Sequence, residues 1–416
     1  MVIIVKPDKT TIASMIAKLR ARSPSELVSL AYVNFFGILI SIGLFILKPV
    51  KTIKLIEIRS QSIGQQAGNT ALFLRRLQLE KGSGKENILY IGICATRVDN
   101  TQLLKMFRRK LWIIQNDFLV RICGNGAFII RWLGFYLDLP FYGHEFDFDI
   151  TEPDLQFTEE EERDGQKLLM MMGIGENSKF VCFHCRDSAF SKTYIQDYRN
   201  SDIGNYLDAA KYITTYNNFA IRMGQTVANP LPDLGNSRII DYASNFRSDF
   251  GDIYVSAKCK FFLGSTAGII VVPAIFNVPV AAADIIPFYT PWKTGDLFIP
   301  KKIWSVEEKR FLTFREMIEF GGDIRDDGIR QGLDPGTYTS KKLAEGKFIV
   351  YDNTAEEILD LAQEMNERLD GTFIITPEDE ELQQRFRSLL RPFDFCYGTP
   401  ARVGAKFLRE NEALLR

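Results

Sequence analysis

Two segments of the sequence carry residue types that bind phosphate in α/β proteins. The first is the turn Gly264-Ser265-Thr266-Ala267-Gly268, which lies between apolar runs at 261–263 and 269–276. A strand, a small hydroxylated turn and a helix in this order offer an anion the N–H groups and positive dipole of a helix start, with added hydroxyl donors. Gly264 and Gly268 allow a ligand to approach the backbone closely. The pattern predicts a phosphate site at this turn.

The second segment is His184-Cys185-Arg186-Asp187, which ends the apolar run 180–184. An arginine guanidinium is a planar fork that donates to two phosphate oxygens at once. We therefore expect Arg186 to supply positive charge, and Ser265 and Thr266 to supply donors, to the same pyrophosphate.

Other predicted strand ends also carry polar or glycine residues. In an open parallel sheet, ligands bind beyond the carboxyl ends of the strands. Asp252 is a candidate acceptor for a ribose or base. The substrate-binding candidates from this argument are Arg222, Gly224, Asp241, Arg247, Asp249 and Asp252.

Each candidate also has a structural interpretation. Arg186 with Asp187, and Arg222 with Asp241, are possible ion pairs. Ser265 and Thr266 are possible helix caps. Arg247 and Asp249 could brace a loop, and His184 could be a hydrogen-bonded histidine at a strand end.

Composition narrows the class of protein. The 416 residues carry a net charge of −1, which gives no general field that would attract nucleic acid. The six cysteines are scattered in apolar contexts, which is typical of reduced thiols. Cys182 and Cys185 would point to opposite faces of a strand, and there are only two histidines. We therefore expect no metal site and no cofactor.

An apolar helix is predicted near the N-terminus. Ser23, Pro24 and Glu26 form a helix start, and Leu27–Leu47 follows almost without a polar residue. The run is long enough to cross a bilayer, but lysines and arginines flank both ends and give no orientation. A helix in one leaflet at the membrane surface fits this pattern better, and a buried core helix is the alternative.

The remainder alternates short apolar strands with helices, which predicts a doubly wound α/β fold. Strands are expected at 52–59, 87–94, 179–184, 219–223, 238–241, 260–263 and 278–282, with a polar turn at 60–69. The predicted divisions are a membrane-associating segment at 1–50, an α/β domain at 51–157, a second α/β domain at 158–375, and C-terminal helices at 376–416 that pack back on the N-terminal domain.

Several segments resemble a bacterial family of glycosyltransferases found with surface-polysaccharide genes and related to O-fucosyltransferase-like enzymes. They include FHCRDSAF, TYIQDYRNSDI, IRMGQ, RSDFGDIYVSAKCKFFLGSTAG and LFIPKKIW. The resemblance implies two Rossmann-like domains of the glycosyltransferase-B type, with an acceptor domain at 51–157 and a nucleotide-sugar domain at 158–375. It also implies that Arg186, Ser265 and Thr266 meet the diphosphate and that His184 contacts the nucleotide or sugar.

The resemblance also points to the first turn of the N-terminal half, with Gly64, Gln65 and Asn69 as substrate-binding candidates. The family has a histidine where this chain has Gln65, and glutamine cannot shuttle a proton near neutral pH. Asp187 stands where the fucosyltransferase-like enzymes have a second arginine, so the donor need not be GDP-fucose. Asp187 and His144 are the candidates for the general base, and Arg186, Asp187 and His184 are the catalytic candidates.

These features together predict a glycosyltransferase that moves a sugar from a nucleotide-sugar donor to a glycan or lipid-linked acceptor in surface polysaccharide synthesis. The reaction is expected to need no metal, because Asp147-Phe148-Asp149 lies in an acidic linker rather than at a strand end. The expected location is the cytoplasmic face of the inner membrane, with peripheral or monotopic attachment through Leu27–Leu47. The alternatives are a non-catalytic nucleotide-binding subunit of a polysaccharide assembly complex and a nucleotide-sugar epimerase.

Overall fold

A computed structural model describes residues 23–80, 87–125, 128–139, 145–190, 194–286, 288, 290–321 and 335–416. The chain divides into two compact units. Unit 1 comprises Met1–Arg59, Lys81–Arg97 and Arg108–Leu139, and unit 2 comprises Ser60–Glu80, Val98–Phe107 and Pro140–Arg416.

Helices and strands alternate along most of the described chain. The α-helices are α1 (Pro24–Leu47), α2 (Ile63–Leu79), α3 (Thr101–Arg108), α4 (Asp117–Asn125), α5 (Phe128–Trp132), α6 (Glu159–Met171), α7 (Leu207–Thr215), α8 (Tyr242–Asn245), α9 (Asp249–Lys258), α10 (Val271–Ile275), α11 (Phe314–Phe320), α12 (Pro335–Ala344), α13 (Ala355–Asp370), α14 (Pro377–Ser388) and α15 (Ala405–Glu410). The strands are β1 (Thr52–Glu57), β2 (Ile88–Cys94), β3 (Trp112–Gln115), β4 (Tyr136–Leu137), β5 (Phe180–His184), β6 (Phe219–Arg222), β7 (Ile239–Asp241), β8 (Phe262–Gly264), β9 (Val280–Ile285), β10 (Leu297–Pro300), β11 (Lys302–Ser305), β12 (Arg310–Phe311), β13 (Phe348–Tyr351) and β14 (Arg402–Val403).

Unit 1 is built on a four-stranded parallel sheet in the order β3-β2-β1-β4. Its core includes Leu55 and Ile91 from the sheet and Ile122 and Ile130 from the helices. Helix α1 begins at the predicted capping box of Ser23 and Glu26. It is the one described helix that is long and apolar enough to cross a membrane.

Unit 2 is built on a seven-stranded sheet in the order β14-β10-β9-β8-β5-β6-β7, and each neighbouring pair is parallel. Strands β5 and β9 are buried along their whole length, which explains why their sequences are continuous apolar runs. A small antiparallel sheet, β12-β11-β13, belongs to the same unit. The prediction of an α/β chain with parallel sheets and an N-terminal apolar helix is confirmed.

The predicted turn at 60–69 was wrong, because helix α2 already begins at Ile63. Gly64 and Gly68 lie inside this helix and weakened its sequence signal. A Cβ at Gly64 would lie 2.9 Å from Cα of Gly268, so glycine here serves a close backbone approach rather than a turn.

Helix α2 belongs to unit 2, although the predicted domain bounds place it in the N-terminal domain. The fully buried Arg75 explains this assignment. Its guanidinium donates to the carbonyls of Thr151 and Ile275 at 2.8 and 2.7 Å, and to Asn277 Oδ1 at 2.9 Å. These bonds connect residues that are far apart in the sequence, which a reading of local patterns does not detect.

Candidate functional site

The order of the strands in unit 2 creates a switch point between β5 and β8. From β5 the chain adds β6 and β7 on one side, and then β8, β9, β10 and β14 on the other. His184 at the end of β5 pairs with Gly264 at the end of β8. In open parallel sheets, ligands bind in the crevice at the carboxyl ends of the strands where the order reverses. Both predicted phosphate-binding segments begin at this point.

Hydrogen bonds join these two segments. The Ser265 N–H donates to the His184 carbonyl at 3.1 Å, and the Arg186 N–H donates to Ser265 Oγ at 3.0 Å. Ser265 is fully buried. The first residues after β5 and after β8 therefore form one connected junction.

The hydroxyls of this junction are engaged within the protein. Thr266 Oγ1 accepts from the Ile286 N–H at 3.1 Å and donates to the Asp284 carbonyl at 3.3 Å. The cap residue of the following 3₁₀ turn, Gly268–Ile270, is Ala267. Ser265 and Thr266 thus fix the shape of the turn in this structure.

Two guanidinium groups lie beside the junction. Arg186 is only 8% exposed, and burial, with the nearby charge of Arg199, lowers its pKa to about 10, although Asp197 opposes this shift. Arg199 donates from Nε and Nη2 to the Thr266 carbonyl at 3.1 and 2.9 Å. Both guanidinium groups can donate to phosphate oxygens. This pair is the best candidate for binding a diphosphate.

Arg199 is a residue that the sequence argument did not select. It ends the 3₁₀ turn Tyr194–Arg199, well beyond the end of β5. The available signal was a basic residue in the long connection after the central strand. Its link to Thr266 depends on the folded path of that connection, which the sequence pattern does not reveal.

His184 is a neutral acceptor at the end of β5. Its Nδ1 lies 2.9 Å from the Met223 carbonyl oxygen, which can only accept, so Nδ1 carries the proton and Nε2 does not. Burial lowers its pKa to about 4. At neutral pH, His184 can accept a hydrogen bond from a hydroxyl, but it is unsuited to hold a transferred proton.

Arg222 belongs to an internal network. Its Nη1 donates to the Asn229 carbonyl at 2.7 Å and lies 3.5 Å from Asp241 Oδ2, while its Nη2 lies 3.9 Å from Asp187 Oδ2. Asp187 also accepts from the N–H groups of Ala189 and Ala228, at 2.8 and 2.9 Å. A carboxylate held in this way positions loops, and the ion-pair interpretation of Arg222 fits these contacts.

Asp241 has a similar supporting role at the end of β7. Its Oδ2 accepts from the Leu231 N–H at 2.9 Å and from Ser244 Oγ at 2.7 Å, and the residue caps α8. Gly224 lies nearby, where an added Cβ would come within 3.0 Å of Val227 Cγ1 and 3.7 Å of His184 Nδ1. Gly224 therefore leaves room chiefly for the Val227 side chain, since the distance to His184 would be an ordinary contact.

Asp252 is buried in a second network rather than open to a ribose or base. It accepts from the Tyr242 hydroxyl at 3.0 Å and from Arg247 Nε at 3.1 Å. Burial raises the pKa of Asp252 to about 6. Arg247 also donates to Asp249 at 2.9 Å, and Asp249 accepts from Thr101 Oγ1 at 2.6 Å. The bracing interpretation of Arg247 and Asp249 fits this geometry.

The candidates on α2 differ in exposure. Asn69 is buried, whereas Gln65 is exposed in the first turn of the helix. The neighbouring Gln66 is buried and exchanges two hydrogen bonds with the backbone of Asn100, at 2.8 and 3.2 Å. Gln65 is thus the most exposed of the three substrate-binding candidates on α2.

Among the described residues, no group of three or more His, Cys, Asp or Glu side chains is arranged to hold a metal ion. Asp147 lies 3.3 Å from Arg76 Nε, and Asp149 accepts from the N–H and hydroxyl of Thr294 at 2.6 and 2.9 Å. His144, a candidate general base, lies outside the described residues.

Comparisons with known proteins identify only distant similarities. No protein-family model and no curated protein matches the sequence. The glycosyl transferase family 9 protein from Veillonella parvula aligns with 75% of this chain and 96% of its own, at 10% identity and a TM-score of 0.42. E. coli ADP-heptose LPS heptosyltransferase II aligns with 59% of this chain and 90% of its own, at 14% identity and a TM-score of 0.36.

The iron-containing heptosyltransferase TibC, solved as a dodecamer with ADP-D-β-D-heptose, aligns with 77% of this chain and 79% of its own, at 10% identity and a TM-score of 0.37. Similarity at this level does not assign a family or an activity. Any functional argument has to come from the residues at the switch point.

Proposed function

We propose that this protein is a glycosyltransferase that takes a sugar from a nucleotide-sugar donor and attaches it to a glycan or lipid-linked acceptor in surface polysaccharide synthesis. The observation that carries this proposal is the position of Arg186. It is a buried guanidinium at the β5/β8 switch point, next to Arg199 and tied through its backbone to the 264–268 turn.

The chemistry of glycosyl transfer explains why such a pair would be useful. As the bond between the anomeric carbon and the diphosphate oxygen breaks, the acceptor oxygen bonds to that carbon and the leaving nucleoside diphosphate gains negative charge. Arg186 and Arg199 would stabilise this charge as preorganised donors in a site that is largely closed to water. His184 would accept a hydrogen bond from a sugar or nucleotide hydroxyl.

The proton of the acceptor hydroxyl must pass to a general base. The low pKa of His184 and the two N–H groups bound by Asp187 make both residues poor choices for this role. In this proposal the loops around the donor are held by Asp187, Arg222 and Asp241. Helix α9, which precedes β8, is supported by Arg247, Asp249 and Asp252.

A thermal-shift panel of UDP, GDP, ADP, CDP, CMP and dTDP tests the donor site first. A ligand that binds only the folded state stabilises it by about 2.7 kcal/mol at one hundred times its Kd. We expect one nucleotide to raise the Tm selectively and Arg186→Ala to abolish that shift. Arg163→Ala is the matched control, because Arg163 is exposed on α6, and it should keep the full shift.

The matching nucleotide sugar is then incubated with acceptor fractions from a polysaccharide-producing cell, and the released nucleoside diphosphate and glycan product are measured. Removing a preorganised donor of this kind costs about 100-fold or more in kcat, so Arg186→Ala should lose at least that much turnover. Selective binding without turnover on any acceptor would favour a non-catalytic subunit instead. Formation of an epimer without acceptor would favour an epimerase.

A further inference from the structure

Helix α1 exposes most of its apolar side chains. Phe35, Phe45 and Ile46 are 58%, 62% and 69% exposed. Only 17% of the most apolar 18-residue stretch of the helix is buried. A soluble protein rarely exposes so large a continuous apolar surface without a partner.

The same helix is packed into unit 1 along a narrow stripe. Val33, Gly37, Ser41 and Leu44 are buried, and Val33 and Leu44 belong to the same core as the sheet residue Leu55. These positions recur every three or four residues, so they lie on one face of the helix. The packed stripe occupies the middle of α1, which is the part that a spanning helix would place in the bilayer centre.

This packing argues against a helix that crosses the membrane. A span needs about 20 apolar residues surrounded by lipid, whereas the stripe fixes α1 to a unit with a polar, charged surface. A helix that lies in the plane of one leaflet can keep the stripe packed and still bury its exposed face in lipid.

Aromatic side chains near α1 are also exposed. Trp132, the last residue of helix α5, is 62% exposed. Phe118 of α4 packs edge-on against Phe36 of α1, with ring centroids 5.1 Å apart. Tryptophan is enriched at the boundary between lipid and water, where its ring is partly buried and its N–H stays hydrated.

The charge of unit 1 suits an anionic surface. Its described parts, 23–59, 87–97, 108–125 and 128–139, contain ten Lys and Arg against four Asp and Glu, a net charge of +6. The whole chain carries −1, so positive charge is concentrated in the unit that holds α1. Each basic residue near an anionic leaflet contributes about 1 kcal/mol of attraction.

We propose that unit 1 docks on an anionic lipid leaflet with α1 lying in the membrane plane, its exposed face among the acyl chains and Trp132 at the headgroup level. The occupant of this surface is lipid rather than a second copy of the chain. The inference does not depend on the proposed transferase activity.

Vesicle binding tests the docking surface. The full chain is sedimented with vesicles of phosphatidylcholine alone and of phosphatidylcholine with 30% phosphatidylglycerol, at low and high salt. We expect tighter binding to the anionic vesicles, with a difference that shrinks at high salt. The double variant Phe35→Glu with Ile46→Glu should bind at least about tenfold more weakly.

The matched control is Ile374→Glu with Ile375→Glu, which places the same two charges on exposed apolar residues of unit 2. It should bind vesicles like the unchanged protein. The proposal is overturned if the α1 double variant binds vesicles as well as the unchanged protein does. It is also overturned if the unchanged protein is a dimer in solution and the double variant breaks the dimer without any loss of lipid binding. A second measurement does not depend on the folding of the double variant. Quenching of tryptophan fluorescence by brominated lipid is measured on the unchanged protein and on Trp132→Phe, which should lose part of the quenching. Full quenching in Trp132→Phe would contradict the assigned position of Trp132.

Labelling of the two helix ends separates an in-plane helix from a spanning one. All six native cysteines are buried, so single cysteines introduced by Ser25→Cys and Val50→Cys can be followed with a membrane-impermeant maleimide. Both should react when the protein is bound to the outside of intact vesicles. Protection of either one until detergent is added would show that α1 crosses the bilayer and would refute the in-plane arrangement.

Discussion

The backbones of Gly64 and Gly268 are in direct contact. A Cβ at Gly64 would lie 2.9 Å from Cα of Gly268, and a Cβ at Gly268 would lie 3.1 Å from N of Gly64. Both residues had been selected as substrate-binding candidates, and the structure gives each a packing role. The first turn of α2 is pressed against the turn that follows β8, so a part of the N-terminal sequence fixes the candidate phosphate site.

Replacing Gly64 by alanine should therefore destabilise unit 2. The added methyl group meets backbone atoms that cannot rotate away, and overpacking of this kind costs about 1–3 kcal/mol. Chemical denaturation of Gly64→Ala measures this loss. Gly175→Ala is the control, because its Cβ would have only Ser178 Oγ nearby, at 3.7 Å. Equal unfolding free energies for Gly64→Ala and Gly175→Ala would contradict the close contact of Gly64 with Gly268.

Arg75 and Arg76 offer a comparison between adjacent arginines. Arg75→Met would leave the buried acceptors at Thr151, Ile275 and Asn277 without their donor, which we expect to cost about 3–5 kcal/mol. Arg76 is partly exposed and pairs with Asp147, so Arg76→Met should cost less than about 1 kcal/mol. Equal losses in urea denaturation would show that the internal bonds of Arg75 do not hold α2 in unit 2.

Arg199→Ala should weaken nucleotide binding even though Arg186 is unchanged. The variant loses a positive charge beside Arg186 and the two donors to the Thr266 carbonyl. We expect about a tenfold higher Kd by calorimetry, and a smaller salt dependence of Kd because one charge is missing. Arg199→Lys should recover part of the charge effect, and an unchanged Kd in both variants would remove Arg199 from the site.

His184 should make the stability of the protein depend on pH. Its pKa is about 4 in the folded chain and near 6.5 when unfolded, so the unfolded state binds more protons between these values. The contribution of the buried neutral ring is complete above pH 6.5 and is lost as the pH falls toward 4, by an amount on the order of 3 kcal/mol.

Comparison with His184→Gln isolates this effect. Burial raises the pKa of Asp252 to about 6, so at this residue the folded state binds more protons than the unfolded state. Its contribution to stability therefore changes with pH in the opposite direction to that of His184, and it is the same in both proteins. As the pH falls from 7 to 4.5, the variant should lose less of its unfolding free energy than the unchanged protein. Identical pH slopes would mean that His184 does not titrate as its burial requires.

Chelation of metal ions should leave glycosyl transfer unaffected. In the proposed reaction the charge of the leaving diphosphate is stabilised by Arg186 and Arg199, so no divalent ion is required. Product formation is compared with and without an excess of EDTA, and again after Mg²⁺ or Mn²⁺ is added back. A loss of turnover that one of these ions restores would contradict the arginine mechanism.

Local signals in the sequence were reliable where the structure is itself local. The predicted helix start at Ser23 is present as a capping box, because it joins residues only three positions apart. Buried strands such as β5 and β9 were also found from their apolar runs. The strands β3, β4 and β10 to β14 were not predicted, because they are short or flanked by irregular chain.

The direction in which a strand-end side chain points was beyond the sequence argument. Arg222 and Asp252 do follow or flank the predicted strands, yet their partners are Asn229 and Tyr242, in segments whose path depends on the whole unit. Residue type and position predicted which strand ends lie at one edge of the sheet, and His184 and Gly264 do pair there. They did not predict which side chains at that edge support loops.

The bond between Arg75 and the Ile275 carbonyl has a consequence for synthesis on the ribosome, because 200 residues separate the two partners. At 5–20 residues per second, the segment around Arg75 waits about 10–40 s for its acceptor to be translated. During that interval the Arg75 guanidinium lacks its Ile275 acceptor. The packing of α2 into unit 2 therefore cannot be completed until the segment around Ile275 has emerged from the ribosome.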